Sequence, residues 1–255
     1  MGCSSTRRPR PTPSTAPRRP ANPAVAVADH DWMERASASA GGVPDPSAIR
    51  RSLLRDAVFL KLLENVLRGV YRRGQRLRLD DIANDMQVSR TPVREALVPL
   101  EALRLVSVQR YIGVVVAQWT VGQMVERLRI TRSLVGEPPV AVPATVERFR
   151  PEWLDDCATE AGALVELGSW TLRRRGALIS ADWLVAQRAV LDMFFTDDVA
   201  AANGIDAVVG RRERLRQVER ALAAAERDQV DECAAVLVGL SRDFIALPER
   251  FRSAA

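Results

Sequence analysis

The sequence predicts a mainly α protein in two parts: a helix-turn-helix closed by a small β-hairpin, then an all-α helical bundle. Three observations carry that prediction. Apolar residues recur at helical spacing over 53–67, two β-branched runs flank a turn over 106–117, and from Val121 to the end the apolar pattern is helical throughout. With 255 residues and 47% hydrophobic content, the chain can build two modest domains, each with a core.

Residues 1–48 read as a tail. Pro9, Pro11, Pro13, Pro17, Pro20 and Pro23 are interleaved with Arg, Ser and Thr, and no helical or strand period begins before Ile49. Leu53, Val58, Leu62, Leu63, Val66 and Leu67 then predict a helix, which Gly69 and Gly74 punctuate. A second, short helix is predicted over 80–86, where Asp80 and Asp81 favour the start and Ile82, Ala83 and Met86 face inward. A third begins within Val88-Ser89-Arg90-Thr91-Pro92-Val93-Arg94-Glu95-Ala96-Leu97. Ser89 or Thr91 supplies a capping oxygen, and Pro92 falls in the first turn, where its missing donor has no partner to lose. Arg90 and Arg94 then share one helical edge, spaced to reach phosphates or the O6 and N7 of guanine. Val106–Gln109 and Val114–Ala117 form a hairpin around Arg110-Tyr111-Ile112-Gly113, which makes the unit a winged helix-turn-helix.

This stretch, from about Leu53 to Ala117, resembles the DNA-binding domain of the GntR family of bacterial transcription regulators. The resemblance rests on 54–67, Gly69, Gly74, Leu77, Ile82-Ala83, the run from Val88 to Leu97, Leu100-Glu101, Leu105-Val106 and Gly113. It implies that Ser89, Arg90, Thr91 and Arg94 contact operator bases and phosphates. It further implies that the wing glycine, Gly113, allows close backbone approach to the minor groove, and Arg110 at the wing tip is expected to reach the backbone or minor groove. Four positions depart from the family pattern. Gln87 and Arg104 replace glycines, so a positive φ at either would be strained by about 1 kcal/mol. Arg73 replaces a proline, and Pro99 falls inside the reader helix, where it is expected to kink the last turn at a cost of about 3 kcal/mol.

In the second part, Met124–Val135, with Val125, Leu128 and Arg132 on one stripe, Trp153–Leu167, Trp183–Phe195 and 208–247 carry helical patterns, and Glu137-Pro138-Pro139 ends the first of them. Placed after a GntR-type reader, such a bundle is similar to the FadR-type effector and dimerisation domain, called FCD, in its smaller VanR-like form. The expected division is therefore a tail over 1–48, a winged helix-turn-helix over 49–118 and an FCD-like domain over 119–255. Many FCD domains hold a metal through one aspartate and three histidines. Here Asp182 takes the aspartate position, but Ala186, Gln217 and Gly239 stand where histidines are expected. The sole histidine, His30, lies in the tail, so no metal and no cofactor are expected.

Charge agrees with this division. Residues 1–48 carry a net +2, 49–117 a net +6 and 118–255 a net −3, which puts the positive field on the reader. All basic residues but Lys61 are arginine, as a GC-rich coding sequence produces. No Ser-His-Asp or Cys-His pair, phosphate loop or dinucleotide glycine pattern occurs, so no enzyme is expected. Asp155-Asp156, Asp197-Asp198 and Asp231-Glu232 are adjacent, splay apart on a helix and suit helix starts better than acid–base chemistry. Arg173-Arg174-Arg175 and Arg211-Arg212 read as exposed faces. Cys3, Cys157 and Cys233 form no CxxC pair, so reduced thiols are expected. Met1-Gly2-Cys3-Ser4-Ser5-Thr6 fits an N-myristoylation pattern, against which stands the bacterial character of the rest. With no apolar run of signal-peptide or membrane-spanning length, the expectation is a cytoplasmic protein without a membrane partner.

The sequence thus predicts a ligand-responsive repressor that binds a pseudo-palindromic operator as a homodimer. The resemblance points to a small organic acid as effector; Arg132 and Arg188, by residue type, and Asp182 are its candidate contacts. The alternative is a constitutive DNA-binding protein whose bundle only dimerises or binds a protein partner.

Overall fold

The computed structural model describes residues 46–109, 113–138 and 147–252. Most of the tail, the wing tip with Arg110, and His30 therefore lie outside the described residues. Helix α1 spans Pro46–Leu67 and begins three residues before the first predicted helical position, with proline in the first turn where it is tolerated. Val58, Leu62, Leu63, Val66 and Leu67 are buried, whereas Leu53, expected on the same stripe, is exposed with Leu54 and Leu60. The buried stripe packs on the helix over Arg90–Ala102.

A two-residue strand, β1 (Arg76–Leu77), follows and was not expected from the sequence. It completes an antiparallel sheet of order β1-β3-β2 with the hairpin strands β2 (Val106–Gln109) and β3 (Gly113–Val116). Helices α2 (Leu79–Asp85) and α3 (Arg90–Ala102) sit between β1 and β2 in the chain and pack on each other. The reader helix α3 runs unbroken through Pro99, whose carbonyl still accepts the Leu103 amide at 3.0 Å. The one bond that Pro99 forfeits is to the Glu95 carbonyl, on the exposed side of the helix, so the cost falls where water has access.

Gln87 and Arg104 both adopt positive φ, 54° and 59°, as the lost glycines foretold. They end α2 and α3 in the left-handed caps through which Val88 N reaches Ala83 O at 2.9 Å and Leu105 N reaches Leu100 O at 3.0 Å. Both side chains are exposed. Gln87→Gly and Arg104→Gly should therefore each raise the stability of the folded protein by about 1 kcal/mol, read as a higher denaturation midpoint at unchanged slope.

Among the described residues from Thr120 onward every element is helical: α4 (Val121–Gly136), a 3₁₀ turn (Pro151–Leu154), α5 (Glu160–Arg174), α6 (Leu178–Ala186), α7 (Arg188–Phe194), α8 (Asp197–Ala202), α9 (Arg211–Glu226) and α10 (Val230–Arg252). Thr120 and Gln123 form a reciprocal capping box at the start of α4. The inward face of α4 is Met124, Val125, Leu128, Thr131 and Val135; Arg132, expected on that stripe, is exposed. Helices α4, α5, α9 and α10 pack around a core that includes Leu164, Trp170, Leu237 and Phe244.

Two of the predicted helices are interrupted. The run expected from Trp153 starts as a helix only at Glu160. Thr159 caps it through Oγ1, and the buried carboxylate of Asp192 on α7 takes the Ala158 and Thr159 amides at 2.9 and 2.7 Å, which ends the preceding loop. Gly162 is required there, because a Cβ would stand 2.6 Å from Asp192 Oδ1. The run expected from Trp183 to Phe195 divides at Gln187, a buried junction between α6 and α7.

Candidate nucleic-acid interface

Helix α3 has two unlike sides. Pro92, Val93, Ala96, Leu97 and Leu100 are buried against α1, α2 and β2, and Arg90, Thr91, Arg94, Glu95 and Val98 are exposed. Apolar burial thus fixes the helix by one face and leaves the other to a partner. Ser89 is the N-cap residue with extended backbone (ψ 167°), but it makes no side-chain capping bond, contrary to the expected cap. Its hydroxyl is exposed beside Arg90 and Thr91, at a helix N-terminus whose unbonded amides favour an anion.

The two arginines differ in engagement. Arg90, two-thirds exposed, pairs through Nε with Oδ1 of Asp80 on α2. Arg94, one turn on, is exposed and makes no ion pair among the described residues. Toward the far end of the same helix the wing is tied to the reader: Glu101 Oε1 accepts the Val108 amide at 2.8 Å, a link between α3 and β2 that periodicity could not reveal.

Gly113, at the start of β3, has φ +97°, and a Cβ there would stand 2.8 Å from the Leu77 carbonyl. The sheet therefore demands this glycine through the close approach of β1, independently of any DNA groove. Arg110, placed at the wing tip by the sequence, lies outside the described residues.

In the bundle, the three candidate effector residues are not gathered. Asp182 pairs with Arg173 at 2.6 Å and Arg188 with Glu166 at 2.8 Å. Burial raises the pKa of the Glu166 carboxyl, and the adjacent Arg188 opposes that shift. Arg132 lies on the exposed face of α4. None of the three lines either of two bundle cavities. One, of about 430 Å³, is bounded by Cys157, Thr159, Glu160, Asp197, Arg211 and Leu215. The other, of about 670 Å³, is an open recess along α9 with Val208, Arg212, Arg216 and Glu219. Among the described residues no three His, Cys, Asp or Glu side chains converge as a metal site would require. Burial pushes both the Cys157 and the Cys233 thiol up to about 11, which leaves them protonated near neutral pH.

A buried ion pair escaped the sequence reading. Arg214 on α9 is 2% exposed; it faces Glu160 Oε1 at 3.5 Å, lies 4.9 Å from the Phe244 ring and donates to the Val209 and Ala207 carbonyls.

Residues 54–116 match the family model "Bacterial regulatory proteins, gntR family", which identifies the winged helix-turn-helix as a GntR-family domain. Among curated proteins, none matches the chain. Solved structures with some similarity include E. coli McbR/YncC, at 20% identity over 76% of this chain and 95% of that one, with a TM-score of 0.42. A GntR regulator from Rhodococcus sp. RHA1 has 20% identity over 79% and 98% with a TM-score of 0.39. Lar of Listeria monocytogenes, described as controlling expression of the agr system, has 18% identity over 77% and 96% with a TM-score of 0.38.

Proposed function

We propose that this chain, which carries a GntR-family DNA-binding domain, is a sequence-specific transcriptional regulator that represses by binding a pseudo-palindromic operator as a homodimer. The observation that carries the reading is the exposed edge of α3, where Ser89, Arg90, Thr91 and Arg94 stand clear of a helix held by its other face. In this reading residues 49–118 are the reader and residues 119–255 an FCD-like domain that dimerises. Arg90 and Arg94 enter the major groove while the wing, with Arg110 and Gly113, follows the backbone or the minor groove. A single reader specifies too few base pairs to find an operator in a genome, so two act together on half-sites about one helical turn apart or less. Such a regulator works beside the chromosome in the bacterial cytoplasm; no helix among the described residues is long and apolar enough to cross a membrane.

The bundle then either senses a small organic acid or only dimerises. The existing pairing of Asp182 with Arg173 and of Arg188 with Glu166 favours the second, constitutive reading, because a carboxylate would have to displace Glu166 to reach Arg188. Selection of bound duplexes from a random pool tests DNA recognition. A recovered palindrome bound by two chains in sedimentation supports the proposal, and recovery of no consensus removes it. A thermal-shift screen of small carboxylates against wild type and Arg132→Ala then separates the two bundle readings: hits lost in the variant favour an effector, and none at millimolar concentration favours dimerisation alone.

A further inference from the structure

Two reader helices end on carbonyls that are satisfied from the bundle. The last carbonyls of an α-helix have no partner within it and must find one elsewhere. At the end of α1, Leu67 O accepts Nδ2 of Asn203 at 2.8 Å, from the C-cap of α8. Just past α3, the carbonyl of Leu103 accepts Nη2 of Arg127 on α4 at 2.5 Å. Each side chain also grips the bundle. Asn203 Nδ2 reaches Val199 O at 2.9 Å, and the other arm of the Arg127 fork donates to Gln187 Oε1 at the break between α6 and α7.

A third contact joins them. Arg73, where the family has proline, lays its guanidinium 4.0 Å over the ring of Trp119 and donates to Asn203 Oδ1 at 3.1 Å. Trp119 is buried at the start of the bundle, edge-on to Phe194 at 6.2 Å. Arg127 is itself partly buried, and burial first, then the nearby Arg104, lowers its pKa. A desolvated guanidinium stays charged, and the cost of burying that charge is offset only where its donors are met, so this fork is bound to one geometry.

We infer that Arg127, Asn203 and Arg73 form a latch that fixes the reader helix on the bundle. Arg127 and Asn203 are thereby positioning residues for DNA recognition: Leu103 lies about 20 Å along the helix from Arg90. Two readers on a dimer meet two half-sites together only if their orientation is set beforehand, because rotational freedom dilutes the second contact. Releasing the latch leaves each reader's own chemistry intact and removes that preorganisation.

The inference rests on the DNA-binding reading, and two measurements separate the two. Full-length wild type, Arg127→Met, Arg127→Lys and Asn203→Ala are compared on the duplex selected from a random pool and on the same duplex with one half-site scrambled. Arg127→Met and Asn203→Ala are expected to lose about tenfold on the intact duplex and to stay within about twofold on the scrambled one, with Arg127→Lys in between. Equal loss on both duplexes, or no loss on either, overturns the latch. Calorimetry of the free protein gives the second readout: wild type should melt as one transition, and the two latch variants should melt with the reader unfolding first. If selection returns no duplex, the DNA-binding reading fails while calorimetry still decides the latch, which an unchanged single transition in both variants overturns.

Discussion

Arg94→Ala is expected to cost about 1–3 kcal/mol on the selected operator and much less on a scrambled duplex, since a base-reading fork carries specificity. The fold should not share in the loss: Arg94 is exposed and makes no ion pair among the described residues, and the helix is held by Val93, Ala96 and Leu97. A phosphate contact would behave otherwise, weakening both duplexes alike and flattening the salt dependence by about one unit of slope. Competition binding at matched salt distinguishes the two, and unchanged affinity on both duplexes would remove Arg94 from the reader.

The largest loss of stability is expected from Glu160→Ala. Glu160 is 7% exposed and faces Arg214, itself 2% exposed, so truncation removes a buried carboxylate from beside a buried guanidinium at a cost of about 3–5 kcal/mol. Arg214 keeps its bonds to the Ala207 and Val209 carbonyls, but these neutral acceptors do not replace a carboxylate. The double replacement Glu160→Leu with Arg214→Met removes both charges and should fall much closer to wild type. Denaturant unfolding of the two variants checks the contrast; similar losses in both would mean that packing, rather than charge, holds this junction.

The reader was legible because its rules are local. The helical spacing from Val58 to Leu67, the run from Ser89 to Leu97 and the β-branched hairpin each lie within a few residues, and the positive φ at Gln87 and Arg104 followed from glycines exchanged at helix ends. The bundle was less legible because its breaks are set from afar. Nothing near Thr159 announces that Asp192, more than thirty residues on, takes its amide and starts α5 late. Gln187 divides a continuous apolar run while its amide oxygen answers Arg127, sixty residues away. Arg214 reads as one more arginine on a charged helix, and only the fold brings Glu160 and Phe244 to it. The two-residue strand β1 is too short for any periodic signal; its partner Val114 exists only once the hairpin has formed.

If Arg90 meets DNA phosphate as proposed, its pairing with Asp80 makes the protein a competitor for its own ligand. A phosphate that engages Arg90 must displace a carboxylate already beside it, so part of the attraction is an exchange of one anion for another. Such an exchange releases fewer ions from the DNA atmosphere than a free cation would, which mutes the share of Arg90 in salt-dependent, sequence-blind adhesion. Arg94 has no such rival among the described residues. The reader is therefore graded along its length, with a self-screened charge at the mouth of the helix and an unscreened one a turn deeper. On the proposed DNA-binding reading, that order would disfavour idle capture by random phosphate and reserve full contact for a duplex whose bases repay the deeper approach.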